Sequence, residues 1–425
     1  MFFLYNSAMT VAAPVGRFWL WTHREHRELL QRFAPRVPAF ADRPIWVHAC
    51  SVGELNTAEP FVQGLKRHFP HHPVLVTTST SSGHSLAEKK FPEGSIAWCP
   101  FDTRRSVRRF LRQARPAALV LIETEIWPNL IREAAVLGIP VLTVNGRISA
   151  KHFERYKRYQ RFIGPAFSLL TACGMQDDIN AKRIGLLGVP QGRIEITGNI
   201  KFDAVATECE ASVRARVRRE NGFAPQQPVL IFGSMRPGDE ALAAACWSAL
   251  KDEVPELRLV LAPRHLDRVD EVAAAFTEPV FRRSQVLKGT KPLKERVFLL
   301  DTLGELRQFY SIATAAVIGG SFAPGVGGHN PLEPAALGVP TFFGPHMENF
   351  QDVARVLAEG AGVIQTPAEQ LAVKLAEIFQ DATHRRTMGT RARKIVMSNQ
   401  GAVQRNLALL ARCLAESRGA AAPVA

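Results

Sequence analysis

The chain has only six cysteines in 425 residues, Cys50, Cys99, Cys173, Cys209, Cys246 and Cys413. None forms a C-x-x-C pair and none has a histidine next to it in the chain, so neither a disulfide framework nor a zinc motif of the usual spacing is expected. They read as reduced thiols of a cytoplasmic protein, all six serving as buried small hydrophobes. A G-x-x-x-x-G-K-S/T loop is absent, and no good G-x-G-x-x-G stands at the first strand of either half, so ATP and NAD readings lose ground. There is no short-period repeat and no low-complexity tract beyond the Ala-rich tail. Acidic residues are scarce relative to basic ones, 39 against 53, leaving a net charge of +14. Such an excess calls for an anionic partner, whether nucleic acid, a phospholipid surface or a phosphorylated substrate, and does not by itself choose among them. A composition of 46% hydrophobic and 22% charged residues is that of a globular protein and excludes disorder and collagen. The length implies two or three domains.

Residues Met1 to Gly16 carry no charge, and the apolar run resumes after Arg17 as Phe18, Trp19, Leu20 and Trp21. A signal peptide does not fit, because the cations follow the run, at Arg17, Arg24, Arg27 and Arg32, instead of preceding it. As a helix, the first sixteen residues would span ~24 Å, short of the ~30 Å hydrocarbon core of a bilayer, and Pro14 and Gly16 weaken it further. Residues 1–30 are therefore expected to associate with a membrane as a surface segment or a marginal span. The positive flank would put the rest of the protein on the cytoplasmic side. An amphipathic helix packed on the body of the protein is the alternative.

From Ile45 onward short apolar runs alternate with helical patterns. Residues 45–49, 74–79, 95–99, 118–123 and 141–145 read as strands, and Leu55, Ala58, Val62, Leu65 and Phe69 mark one face of a helix. The pattern falters over Ala204 to Gln227 and restarts with strands at 229–233, 257–262, 296–301, 315–320 and 339–344. This alternation predicts parallel sheets covered on both faces. The expected organisation is α/β, with a Rossmann-like domain over 31–210, a linker over 211–227 and a second Rossmann-like domain over 228–425 that ends in helices. Ligands are expected in a cleft between the domains, at the carboxyl ends of the strands.

Three segments could carry chemistry. In Cys50 to Glu54 (CSVGE), Gly53 permits a tight turn and Glu54 falls in the first helical turn, where the helix dipole favours a carboxylate. Glu54 is thus either a general base for a substrate hydroxyl or a helix-start residue serving only the dipole. In ETEIWPN, Glu123 and Glu125 are two apart and share a face in extended chain, so that both could reach a ligand or cap the next helix. In GGSFAPGVGGHNPLEP, five glycines lie between Gly319 and Gly328, and Asn330, Pro331 and Glu333 fit the N-cap, N1 and N3 positions of a helix whose positive end suits a phosphate. A capped helix behind a flexible loop is the plainer reading. Arg236, Arg264 and Lys201, all near strand ends or the domain junction, are candidate phosphate ligands, with solvated surface cations as the alternative.

Taken in order, SVGE, ETEIWPNL, GNIKFD, APRH, DTLGEL and GGSFAPGVGGHNPLEP resemble the 3-deoxy-D-manno-octulosonic acid (Kdo) transferase family of lipopolysaccharide assembly, over about Arg43 to Gln404. The resemblance implies a GT-B fold, a CMP-Kdo donor, a lipid A precursor as acceptor, and a place on the cytoplasmic face of the inner membrane. It implies no cofactor and no metal, and the chain lacks an obvious D-x-D motif. By resemblance Glu54 is the general base and Glu123 and Lys201 stabilise the transition state. Pro263, Arg264, Gly304, Glu305, Leu306, Asn330, Pro331, Leu332 and Glu333 match the CMP-binding segments. In two places the sequence departs from the family. The apolar amino terminus is shorter than usual, and GSMRPGDE stands where a Glu-Glu pair is common, leaving the role of Asp239 open. Nucleic acid is not an expected partner, because the arginine clusters at 104–115 and 214–219 read as solvated faces of amphipathic helices. Another GT-B enzyme with a different nucleotide sugar, or a sugar-nucleotide epimerase, is the alternative.

Overall fold

The computed structural model describes residues 2–290 and 295–420. Met1 of the expected amino-terminal segment and residues 421–425 of the expected second domain lie outside the described residues, as does the side chain of Arg24. The chain forms two compact units, one running to Ala204 and taken up again from Gln400, the other Val205–Asn399.

The first unit contains β1 (Ile45–His48), β2 (Val74–Thr78), β3 (Ile96–Trp98), β4 (Ala118–Ile122), β5 (Val141–Gly146), β6 (Ala172–Met175) and β7 (Ile194–Ile196). They form one sheet in the order β3-β2-β1-β4-β5-β6-β7, with every pairing parallel. The strand order reverses between β1 and β4, the usual place for a ligand in such sheets. Both faces are covered. The helix Val52–His68 buries Leu55, Ala58, Phe61, Val62 and Leu65 on one, and Val107, Phe110, Leu130 and Ile131 cover the other.

The second unit repeats the plan with β8 (Val229–Met235), β9 (Arg258–Pro263), β10 (Val280–Arg282), β11 (Val297–Leu299), β12 (Ala315–Ile318), β13 (Thr341–Phe343) and β14 (Val363–Gln365). Its sheet, also parallel throughout, has the order β10-β11-β9-β8-β12-β13-β14.

The structure corrects the expected domain limits at two places. Residues 211–227 are not a linker. The helix Ala211–Glu220 and the turn after it put Val217 and Phe223 into the core of the second unit, and Arg218 donates to the carbonyls of Ala224, Gln227 and Ile312. The carboxy-terminal helix Ala402–Ala420 belongs to the first unit, where it buries Leu407, Leu410 and Cys413. Its start is capped by Asp203, whose carboxylate accepts from the amides of Gly401 (2.6 Å) and Val403 (2.6 Å). Gly64 makes room for it, since a Cβ there would lie 2.8 Å from a methyl of Leu407.

The amino-terminal helix, Phe2–Thr22, continues through Pro14 and Gly16, where a weakened helix was expected. One side of it is docked: the Tyr5 hydroxyl donates to Asp102 at 2.7 Å, and the Arg132 guanidinium lies 4.8 Å from the Phe2 ring centre. Val11, Val15, Phe18, Trp19 and Trp21 are exposed. Among the described residues no helix is long and apolar enough to cross a membrane.

Candidate active site

In the first unit Glu54 follows β1 and Glu123 follows the neighbouring β4, while Lys201 lies in a turn after β7. Glu54 sits in the first turn of Val52–His68 and folds back on the strand-helix junction, accepting from the Cys50 amide at 2.7 Å and from the Ser51 hydroxyl at 3.1 Å. The helix dipole, expected to favour the carboxylate, is opposed here by stronger local influences. Burial, then the negative charge of Glu125 and to a lesser extent Glu123, push its carboxyl up to about 8 despite the hydrogen bond from Cys50. Glu125 is itself raised, first by burial, although it accepts from the Trp127 indole at 3.0 Å.

Glu123 follows β4 with φ of 60°, and Asn145, near the end of the neighbouring β5, has φ of 59°. Non-glycine residues in the left-handed region at two adjacent strand ends mark a backbone held by its surroundings. The Asn145 side chain accepts from the Ile200 amide at 2.9 Å, and that of Asn199 accepts from the Lys201 amide at 3.0 Å. These bonds fix the short 3-10 turn Ile200–Phe202, whose Ile200 shares a core cluster with Leu55, and so place Lys201 on the same unit as the three carboxyls.

Arg32 was expected among the cations facing a membrane, and the structure moves it to this site. Its guanidinium donates to the carbonyls of Cys99 (3.1 Å) and Ser79 (3.3 Å) and lies over the rings of Phe101 and Trp127. Its charge is felt by Glu125, Cys50 and His48. Sequence alone offered no signal for this, because Arg32 lies in a charged 3-10 segment far from the strand motifs.

In the second unit the segments expected at CMP follow β9, β11 and β12, with Arg236 after the intervening β8. Pro263 is buried at the end of β9, and the Arg264 amide donates to the Met235 carbonyl at 2.9 Å, leaving its side chain exposed. Arg236 pairs with the His265 ring. Gly304 takes φ of 81° in the turn before the short helix Leu306–Tyr310. Glu305, by contrast, is turned inward: the buried Arg283 grips its carboxylate at 2.8 Å and Thr302 donates to it. Although burial alone would raise its carboxyl, these partners hold it below the ordinary range. Its contribution is to fix the turn, and Leu306 packs against the core below.

The glycine segment also differs from expectation. Its helix is only Leu332–Ala336, begins one residue later than expected and has Pro331 at the cap position, with Asn330 Oδ1 accepting from the Leu332 amide at 3.0 Å. So short a helix has little dipole, which weakens the expectation of a phosphate held at its positive end. Glu333 is raised, mainly by burial, with Arg307 and Arg264 acting against it. His329 is held down to about 4 by burial and by Arg264 and Arg236. Asp239 acquires a definite role: one carboxylate oxygen accepts from the amides of Arg236 (2.7 Å) and Gly320 (2.7 Å), tying the β8 loop to the glycine loop.

Two parallel Rossmann-like sheets in one chain, each with charged residues at its carboxyl edge, define the GT-B architecture, shared by sugar-nucleotide transferases and epimerases. The UDP-GlcNAc 2-epimerase from Neisseria meningitidis bound to UDP-GlcNAc superimposes with a TM-score of 0.57 over 87% of this chain and 100% of that one. At 12% identity, the likeness is one of fold alone. Sequence decides between the activities. Residues 23–204 match the family model described as 3-deoxy-D-manno-octulosonic-acid transferase. The chain is 32% identical over 95% of its length to the 3-deoxy-D-manno-octulosonic acid transferase of Bordetella pertussis, covering 97% of it. With that of Haemophilus influenzae it shares 31% identity, over 96% of this chain and 97% of the other. The chain belongs to the Kdo transferase family of glycosyltransferases.

Proposed function

We propose that the protein transfers Kdo from CMP-Kdo to a lipid A precursor, with inversion at the anomeric carbon, on the cytoplasmic face of the inner membrane. The observation that carries this reading is Glu54, a half-buried carboxyl at a strand-helix junction that accepts from the Cys50 amide at 2.7 Å and the Ser51 hydroxyl at 3.1 Å, and that burial and the Glu125 charge push up to about 8. Once ionised, it is a stronger base than an ordinary carboxylate, with a proton affinity suited to work near neutrality. Glu54 takes the proton of the acceptor hydroxyl as that oxygen attacks the anomeric carbon. The bond from that carbon to the phosphate oxygen breaks on the opposite side, and CMP leaves. Arg264, Lys201 and the glycine-loop amides neutralise the charge developing on the phosphate, and Glu123 helps to stabilise the transition state. Removing one such donor is expected to cost ~2.7 to 4 kcal/mol in the barrier. No step calls for a metal or cofactor.

A feature of the first unit supports a phosphorylated amphiphile as acceptor and the membrane as its source. A groove of about 920 Å³ runs beside the amino-terminal helix, with Met9, Ala13 and Pro14 on one side and Arg104, Arg105 and Arg109 on the other. The exposed Phe18, Trp19 and Trp21 at the end of that helix suit an interface.

The test is to incubate the full chain with CMP-Kdo and a tetraacylated lipid A precursor and weigh the product. A mass increase of one or more Kdo residues is expected, and Glu54→Gln should bind CMP yet fail to transfer. Near-normal turnover by that variant would remove Glu54 from the role of base. No product from the wild-type enzyme would remove the acceptor assignment.

A further inference from the structure

We propose that His48, Cys50 and Glu125 form a binding site for one thiophilic divalent transition-metal ion of the Zn2+ class, beside the carboxyl cluster of the first unit. The ion is a ligand of this site and takes no part in the transfer reaction, so the proposal stands or falls separately from the reading of Glu54.

One ring nitrogen of His48, the Cys50 sulfur and a Glu125 carboxylate oxygen all lie within 4.8 Å of one another, and no other such trio occurs among the described residues. The residues meet because β1 and β4 are paired. His48 and Cys50 are two apart at the end of one strand, and Glu125 lies just past the end of its neighbour. Around a tetrahedral ion with bonds of ~2.0 to 2.3 Å, ligand atoms sit roughly 3.3 to 3.8 Å apart. A contraction of about 1 Å, within the reach of the Cys and Glu side-chain torsions, therefore closes the set.

His48 is the second and independent observation. It is fully buried, and its Nδ1 faces the carbonyl (3.2 Å) and hydroxyl (3.0 Å) oxygens of Thr77. Its Nε2 is buried without any hydrogen-bond partner, a costly state for a polar atom. Donating Nδ1–H to a carbonyl fixes the tautomer that presents an Nε2 lone pair, the arrangement by which protein histidines are oriented toward metals.

The donor set of one imidazole, one thiol and one carboxylate favours zinc-like ions over magnesium or calcium. It leaves a fourth position for water. On binding, the S–H bond of Cys50 breaks, sulfur keeps the electron pair and forms the bond to the metal, and the proton goes to solvent. The local charge thus rises by one, in a cluster where Glu54 feels the charges of Glu125 and Glu123, and Glu125 feels that of Arg32.

The experiment is a Co2+ titration of the full-length, chelator-stripped chain in detergent, followed by optical absorption. One ion per chain is expected, with a thiolate-to-cobalt charge-transfer band in the near ultraviolet, tetrahedral bands in the visible and release of one proton. Cys50→Ser should abolish the charge-transfer band. Glu125→Gln should keep the band but weaken binding by at least the ~10- to 100-fold that even outer-shell partners are worth. Cys209→Ser, a half-exposed thiol outside the trio, should change neither. Absence of the band in the wild-type chain, or its survival in Cys50→Ser, overturns the proposal. Should Cys50→Ser not fold, Glu125→Gln decides, and unchanged affinity in it has the same consequence.

Discussion

If Glu54 is the base, the rate of transfer should follow its ionisation, and Glu125 should set where that ionisation falls. The ordinary value for a glutamate is 4.5, and burial with the Glu125 charge moves Glu54 to about 8. Because the charged form is disfavoured, the proton is held more tightly, and activity that needs the carboxylate must rise with pH. The ionised fraction is ~1 in 100 at pH 6, ~1 in 10 at pH 7 and ~9 in 10 at pH 9, so kcat/KM should climb close to tenfold per unit and level off above pH 8. The perturbation is Glu125→Gln, which keeps an acceptor for the Trp127 indole and removes the charge. Burial is the larger cause and remains, so the limb should move toward acid by about one unit, a change of ~1.4 kcal/mol. The plateau should also fall, since a weaker base transfers the proton less readily. The assay is initial rates from pH 5.5 to 9.5. A flat wild-type profile, or a limb that stays in place in Glu125→Gln, refutes the reasoning.

Other consequences can be measured on the same protein. The folded-state value of Glu54 lies above 4.5, so the stability its carboxyl contributes is fully present below pH 4.5 and is lost as pH rises through about 8. Glu54→Gln, which has no such loss, should match the wild type in Tm near pH 5 and exceed it at pH 9, at up to ~1.4 kcal/mol for each unit traversed; a difference that stays constant with pH counts against the shift. A Cβ at Gly319 would lie 2.5 Å from the Ser234 carbonyl oxygen and 2.7 Å from the Met235 Cα, so Gly319→Ala must displace the strand end that carries Arg236. CMP affinity by calorimetry should fall at least tenfold, the ~1.4 kcal/mol that defines a factor of ten, and unchanged affinity would take this strand end out of the nucleotide site. Glu133 is buried while its partners Arg104 and Arg108 are half-exposed. Removing both arginines should cost ~3 to 5 kcal/mol by stranding a buried charge, more than Glu133→Gln, which frees two cations into water; the reverse order in denaturant melts would contradict this account.

The sequence pattern reveals some parts of this protein and hides others, and the division has physical causes. Ten strands stand out because they are continuous apolar runs, as strands buried on both faces must be. The four that do not are Ala172–Met175, Ile194–Ile196, Val280–Arg282 and Val363–Gln365. Three of these are sheet edges with one or no buried residue each, and the fourth reads ACGM, without a β-branched residue. The carboxy-terminal helix was placed on the wrong unit because amphipathic periodicity gives the apolar face of a helix but not its partner. Its partners, among them Gly64 and Asp203, lie more than 190 residues away in the chain.

The candidate site divides along the same line. Glu54, Glu123, Lys201 and Arg264 lie at strand ends or in turns next to them, and a sequence can display such positions directly. Their properties could not be read in the same way, because they depend on neighbours contributed by other strands. The helix dipole, a local feature, argues for an ionised Glu54, and burial together with Glu125, a tertiary neighbour, outweighs it. Arg32 looks like one more cation in a basic amino terminus until the carbonyls of Ser79 and Cys99 are seen to hold it beside the carboxyls. Of the +14 net charge, then, the cations to which the proposed chemistry gives a part are ones the fold has held beside a carboxyl or at a strand end, and charge counting cannot tell them from the rest.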